Sequence, residues 1–245
     1  MTSIILLPTY NERDNILAII QAILALPHIG VDMLIIDDNS PDGTANLVEQ
    51  HQSTSSSGRV HLLKRSRKSG LGPAYLAGFQ WALERQYDYI IQMDADFSHS
   101  PHDLPSLLAS AQAGNELTLG SRYTAGGRTA NWAWWRKLIS RFGSLYAKFI
   151  LDIPISDLTG GFKCFHHNLL KKITQLPIYT RGYAFQIEMT YRAALLSASI
   201  KEIPITFEER REGQSKMHYR IILEALYQVL HLRFTKRHIL RSSSR

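Results

Sequence analysis

Short apolar runs alternate with helical periodicity through the first hundred residues. Residues 4–7 (Ile-Ile-Leu-Leu) form one apolar run, suited to a buried strand. Ile16, Ile19, Ile20, Ile23 and Leu24 then recur at helical spacing, and Pro27 and Gly30 close that helix. Residues 33–36 predict a second strand and 60–63 a third. Between them, 44–51 predict a helix opened by the Asp42-Gly43 turn, and the Ser-rich stretch 52–58 reads as a surface loop. A helix over 74–85, with Pro73 in its first turn, leads to a fourth strand at 89–93. This β-α-β-α-β-α-β order predicts a parallel sheet with helices on both faces. Pro8 predicts that the first strand stops there.

Beyond residue 100 the pattern predicts a helix over 103–113, a strand over 117–120 and a long amphipathic helix over 134–151. Helices at 168–176 and 185–196 follow, then a strand at 200–207 whose Pro204 marks an edge or a bulge. The last helix spans 221–234, and the basic, Ser-rich residues from Thr235 read as a frayed tail. No internal repeat or linker interrupts the chain. We therefore expect one main domain over 1–217, with 218–245 as an amphipathic helix and basic tail.

Composition narrows the class. Hydrophobic residues make up 44% and charged residues 20% of 245 positions, which predicts a globular chain rather than a disordered one. A net charge of +7 favours anionic partners: a nucleotide, a phospholipid surface or nucleic acid. Nucleic acid is disfavoured, because neither an aromatic RNA-binding signature nor a helix-turn-helix pattern is visible. The single cysteine, Cys164, excludes an internal disulfide and a cysteine metal site, and is compatible with a reducing compartment. The N-terminus lacks a basic leader region, and no apolar run approaches the ~18–20 residues of a membrane span.

The candidate chemistry lies at strand ends. Asp94-Ala95-Asp96 closes the fourth strand, and Asp37-Asp38 closes the second. Paired carboxylates at the carboxyl edge of a parallel sheet suit a hard divalent cation and the phosphates it carries. Pro8-Thr9-Tyr10-Asn11-Glu12 follows the first strand: Tyr10 can stack on a base and Glu12 can accept hydrogen bonds, while Asn11 equally suits a helix cap. Asp37 to Gly43 equally suits an Asx turn. Ser69-Gly70-Leu71-Gly72, after the basic run from Lys64 to Lys68, can cradle phosphate but is neither a Walker loop nor a dinucleotide fingerprint. His99 and His102 read as a polar loop rather than metal ligands. Asp157 either orients a ligand or caps a helix.

Together with Gly120-Ser121-Arg122-Tyr123, Asp157-Leu158-Thr159-Gly160-Gly161-Phe162 and Gly182-Tyr183-Ala184-Phe185-Gln186-Ile187-Glu188-Met189, these segments resemble the inverting family 2 glycosyltransferases. Within them the likeness is to the polyprenol-phosphate (dolichol-phosphate) mannosyltransferase branch, over residues 3 to about 220. It implies a nucleotide-diphospho-sugar transferase (GT-A-like) α/β fold, with a mostly parallel sheet flanked by helices and residues 1–217 as the catalytic domain. It also implies a GDP-mannose donor, Mg²⁺ or Mn²⁺, and a polyprenyl or dolichyl phosphate acceptor. Pro8, Tyr10, Glu12, Ile36 and Asp38 fall where the family binds the nucleoside, with Ala95 near the nucleotide. Asp94 and Asp96 fall on the metal and diphosphate, and Arg122, Arg210 and Lys216 on donor or acceptor phosphates. Asp96, Arg122, Arg210 and Lys216 are thus the implied catalytic groups. Ser121, Arg128 and Arg136 are further candidates for the acceptor phosphate. The alternatives are a UDP-sugar-dependent relative and a nucleotide-sugar-binding subunit without turnover.

Such an acceptor lives in a membrane. Residues 132–142 combine Trp132, Trp134 and Trp135 with Arg136, Lys137 and Arg141, and Leu138, Phe142, Leu145, Tyr146 and Phe149 continue at helical spacing. That pattern suits an interfacial helix, as does 221–234 with its basic flanks; ordinary core-facing amphipathicity is the alternative for both. The chain resembles the short form of the family, without transmembrane helices. We expect it to be cytoplasmic and peripheral on the cytosolic face of a membrane, with a small membrane-embedded partner subunit.

Overall fold

The computed structural model describes residues 1–55, 57–209 and 219–243. The first half follows the expected order: β1 (Ser3–Thr9), α1 (Arg13–Leu24), β2 (Asp32–Asp37), α2 (Thr44–Thr54), β3 (Val60–Lys64), α3 (Leu71–Glu84) and β4 (Tyr89–Gln92). A 3-10 turn at Pro101–Asp103 leads into α4 (Leu104–Gln112), β5 (Leu117–Ser121), β6 (Arg128–Thr129) and α5 (Trp134–Leu151). Then come β7 (Lys163–His166), α6 (His167–Thr174), α7 (Ala184–Leu195), β8 (Ile200–Pro204), β9 (Thr206–Phe207) and α8 (Tyr219–Ser243). Seven strands form one sheet in the order β3-β2-β1-β4-β7-β5-β8, and β6 pairs with β9 beside it.

Strand alternation splits the core into two layers. Ile4, Leu6, Leu34, Ile36 and Ile90 face the side packed by α3, α6 and α7, whereas Ile5, Leu7, Met33, Ile35 and Ile91 face α1 and α4. Because both faces are covered, these strands read as unbroken apolar runs. At Gly78 helix α3 lies so close to the sheet that a Cβ would sit 2.4 Å from Ile36 Cδ1 and 3.1 Å from Leu6 Cδ1.

One strand departs from the parallel expectation. β7 pairs antiparallel with both β4 and β5. Its entry, rather than its exit, therefore lies at the sheet edge where β1, β2, β4 and β5 end, which carries the 157–162 loop there. The sequence pattern missed β7 because Lys163 interrupts its apolar run. Yet Lys163 is 1% exposed, with its ammonium donating to the Gln186 carbonyl.

Four further expectations are corrected. Pro8 does not stop β1: it pairs with Ile36 of β2, and β1 is one-sided there because pairing with β4 ends at Leu6. Asn11 does not cap α1; it takes a positive φ of 60°, and Glu12 occupies the cap position. The expected 200–207 strand is two, divided at Ile205, and β8 is indeed an edge strand. The basic tail from Thr235 continues α8 to Ser243 instead of fraying. That helix packs on α5 and α7 and buries Val229 and Leu232 in the main core.

The Gly78→Ala variant should lose about 1–3 kcal/mol through overpacking, read as a lower urea midpoint with an unchanged slope. A raised midpoint, the direction helix propensity alone dictates, would show that the sheet gives way at Ile36.

Candidate active site

Two cavities open at the carboxyl edge of the sheet and meet at Asp94 and Asp96, which line both. The first is a cleft between the ends of β1 and β2 and the start of α3. Pro8, Tyr10, Glu12, Asp38 and Ala95 line it together. Ile36 does not: its side chain is buried against Gly78 beneath α3. Lys68 extends its ammonium over the Tyr10 ring, 3.7 Å from the centroid, so a cation and an aromatic face meet in the cleft.

The two acids after β2 divide their labour. Asp37 is spent on a turn, accepting from the Ser40 N–H at 2.9 Å and the Ser40 hydroxyl at 2.6 Å. Asp38 faces the cleft, paired with Arg65 and accepting from the Ser69 N–H at 3.2 Å. The glycine-rich segment is the start of α3 rather than an open phosphate loop. Gly70 caps the helix at a φ of +102°, and the Gly72 N–H donates to the Arg181 carbonyl at 2.9 Å.

At the junction, Asp96 is buried and accepts from the Ser98 N–H at 3.0 Å, while Asp94 stays partly exposed. Beneath them lies Tyr75, which the sequence reading passed over. Its hydroxyl donates to the Met93 carbonyl, and burial, with the charges of Asp94 and Asp96, raises its ionisation well above normal. His99 is neither loop-exposed nor a free ligand. It stacks on Phe162 with centroids 5.1 Å apart, and its Nδ1 accepts from the Asp94 N–H at 3.2 Å. Burial pushes its pKa down to about 4, against the pull of Asp96, so the imidazole is neutral. His102 lies in the exposed part of the 3-10 turn.

Among the described residues no three His, Cys, Asp or Glu side chains converge on a metal position. Two carboxylates at the mouth of a cleft are nonetheless a hard-oxygen donor set that fits Mg²⁺ or Mn²⁺ when a diphosphate supplies the remaining ligands.

The second cavity runs from this junction between α5, α7 and α8. Arg122 stands at its mouth, 7% exposed, with a fork to Asp157: Nε to Oδ2 at 2.7 Å and Nη2 to Oδ1 at 2.7 Å. Nη2 also donates to the Thr159 hydroxyl at 2.7 Å. Burial alone would raise the Asp157 carboxyl, but the charge and hydrogen bonds of Arg122 outweigh it and hold it below the usual carboxylate value. Asp157 is therefore an orienting group and not a helix cap. Its own backbone N–H is held by Glu202 of β8 at 3.0 Å. Arg136 lines the same mouth, pairing with Glu209 at 2.9 Å and lying over Trp132, 4.4 Å from the centroid.

Two candidates stand apart from these cavities. Ser121 is fully buried, its hydroxyl accepting from the Tyr123 and Thr124 N–H groups. Arg128 is exposed on β6, bonded to the Thr206 hydroxyl at 3.0 Å. Arg210 and Lys216 lie outside the described residues.

Deeper in, the second cavity becomes apolar, with Ile139, Tyr146, Ile187, Leu226 and Val229 in its wall. The opposite face of α5 points away from the core: Trp134, Leu138, Phe142, Leu145 and Phe149 are all more than half exposed, between Lys137, Arg141 and Lys148. The core-facing alternative for that stripe is therefore wrong. Among the described residues no helix is long and apolar enough to cross a membrane.

Residues 4–174 match the family described as glycosyl transferase family 2. The chain is 42% identical over 228 residues to a polyprenol monophosphomannose synthase of Mycolicibacterium smegmatis, covering 93% of this chain and 85% of that one. It is also 42% identical over 230 residues to an undecaprenyl-phosphate mannosyltransferase of Micrococcus luteus, covering 94% and 93%. Among solved structures it resembles glucosyl-3-phosphoglycerate synthase from Mycobacterium tuberculosis. The form holding Mn²⁺, UDP and glucosyl-3-phosphoglycerate gives a TM-score of 0.66 at 18% identity, covering 96% of this chain and 79% of that one. The same enzyme with Mg²⁺ and UDP gives 0.64. At that identity the likeness is one of fold, and it bears out the GT-A-like expectation.

Replacing Asp157 by Asn should cost about 3–5 kcal/mol, because the Arg122 guanidinium stays buried without its counter-charge. The sign with pH follows from the lowered Asp157 carboxyl. Its stabilisation is present above the ordinary aspartate value near 4 and is lost as pH falls through the folded value. Chemical unfolding between pH 3 and 7 should show a shallower acid loss in Asp157→Asn than in the parent. Parallel curves would remove the pair from the stability account.

Proposed function

This chain belongs to glycosyl transferase family 2, and we propose that it transfers mannose from GDP-mannose to the phosphate of a polyprenyl phosphate. The observation that carries this reading is the junction at Asp94 and Asp96. There a cleft lined by Tyr10, Glu12 and Asp38 meets a cavity with a cationic mouth and an apolar wall. A nucleoside diphosphate fits the first and a lipid phosphate the second. The identity with two polyprenyl-phosphate mannosyl transfer enzymes over nearly the whole chain names the sugar and the acceptor class. To these we add guanine as the base of the donor.

The reaction asks little of a general base. A phosphate monoester oxygen is already anionic near neutral pH, and in-line attack on the anomeric carbon expels the nucleoside diphosphate with inversion. What must be supplied is positioning and stabilisation of charge on the leaving diphosphate and the incoming phosphate. Asp94 and Asp96 would hold Mg²⁺ or Mn²⁺, which supplies Lewis-acid stabilisation of diphosphate oxygens. Arg122, locked by Asp157 and Thr159, presents a fixed positive charge at the mouth of the acceptor cavity. Arg136 adds a second, with Arg210 and Lys216 as further candidates. The acceptor's first isoprene units run along Ile139, Tyr146, Leu226 and Val229, and the outer face of α5 rests on the membrane that holds the rest of the chain.

The test is to incubate the protein with labelled GDP-mannose, Mg²⁺ and a short polyprenyl phosphate, then extract into organic solvent. Label should enter the lipid phase, vanish with EDTA, and not appear when labelled UDP-glucose replaces the donor. Asp96→Asn should reduce transfer at least ~100-fold with unchanged thermal stability. Transfer insensitive to EDTA would sink the metal assignment, and transfer from UDP-glucose alone would sink the donor.

For the membrane face, Phe142→Ser combined with Phe149→Ser should weaken binding to anionic lipid vesicles by at least ~10-fold. Turnover on a water-soluble short-chain acceptor should be unchanged. Equal vesicle binding by both proteins would remove α5 from the interface.

A further inference from the structure

Gln186 sits in the first turn of α7, 2% exposed, in the wall of the second cavity. Among the described residues neither its Oε1 nor its Nε2 has a hydrogen-bond partner. An orphaned buried amide is costly, and an apolar side chain of the same length would serve packing better. The backbone at this position is well satisfied, since the Gln186 carbonyl accepts from the Lys163 ammonium and the Thr190 hydroxyl. Only the side chain lacks a role.

Its surroundings indicate one. A Cβ placed on Gly161 would lie 3.5 Å from Gln186 Nε2 and 3.8 Å from Asp94 Oδ2, with ordinary room around it. The absent side chain of Gly161 therefore leaves a gap bordered by the amide, the His99 ring edge and the carboxylate on which the donor diphosphate converges, and Gly161 lines the same cavity. The group attached directly to that diphosphate is the sugar. Phosphate would use only the amide's donor and an isoprenoid neither end, whereas vicinal sugar hydroxyls match both Nε2–H and Oε1.

We propose that the Gln186 amide hydrogen-bonds hydroxyls of the transferred hexose and is a specificity-determining residue for the donor sugar. The proposal rests on the sugar-transfer reading above and adds to it the group that reads the sugar. A site built around such bonds rejects analogues that lack the matching hydroxyl, because its own polar atoms then stay unpaired.

The experiment compares kcat/KM for the parent nucleotide-mannose with donors missing one hydroxyl at a time, in the parent protein and in Gln186→Met. At least one deoxy donor should be penalised roughly 10- to 100-fold in the parent. That penalty should shrink below about 3-fold in the variant, whose melting temperature should be unchanged or raised because an orphaned amide has been removed. A structural role would lower the melting temperature and leave the ratio between donors untouched. Gly161→Ala gives an independent arm. Its methyl meets only ordinary contacts in the fold but intrudes on the sugar, so KM for the parent donor should rise at least ~10-fold. If no deoxy donor is penalised, or if every penalty survives in Gln186→Met, the proposal is overturned. Failure of the parent protein to transfer mannose at all would instead overturn the reading it rests on.

Discussion

The mouth of the second cavity depends on the buried ion pair between Arg122 and Asp157. Arg122 follows the end of β5, and Asp157 opens the loop that enters β7. Their fork fixes that loop, and Glu202 of β8 fixes the backbone of Asp157 in turn. The end of β5, the loop entering β7 and the middle of β8 are thus tied by charged hydrogen bonds. The Gly160-Gly161 segment, whose Gly161 leaves room beside Asp94, lies in the loop this pair fixes. A buried pair of this kind contributes little net stability over an apolar packing, yet removing one partner is destabilising. Its use here is orientation.

The same economy applies to the other cations that line or border the cavities. Arg65 is held by Asp38, Arg136 by Glu209, and Lys68 lies over Tyr10. The excess positive charge of the chain attracts an anionic ligand from a distance. The groups that receive it are largely pre-oriented, and such fixed dipoles and charges lower the reorganisation needed when negative charge develops.

Strands β1, β2 and β4 were legible because each is buried on both faces and so keeps an apolar run, whereas the edge strand β3 was legible from Val60, Leu62 and Leu63 although it is only partly buried. Their acidic ends were legible because two carboxylates after such a run have few purely structural uses. β7 was not legible, since a fully buried lysine imitates a break. Pro8 misled for a related reason: proline is excluded from doubly paired strands, and nothing local reveals that β1 is paired on one side only at that point. The division between Asp37 and Asp38 was foreseen only as two readings, and the turn geometry separates them. Gln186 stood in a segment that carried the family resemblance but showed no role of its own, because a glutamine in an amphipathic helix reads as surface until the helix is seen to be buried. The outward aromatic stripe of α5 was visible as a pattern, but only packing decides which way such a stripe points.

That stripe gives α5 two distinct faces. One side supplies Ile139 and Tyr146 to the cavity wall, and the other presents Leu138, Phe142 and Phe149 outward. With the outer face at a bilayer, an acceptor could pass from the lipid to the catalytic junction around a single helix, its tail never crossing water. The quantity governing encounter would then be the number of acceptor molecules per unit area of membrane, explored by lateral diffusion, and not their amount per volume of cell. Dilution of the surrounding medium would leave such an enzyme's acceptor supply unchanged, while dilution of the acceptor by other lipids would starve it.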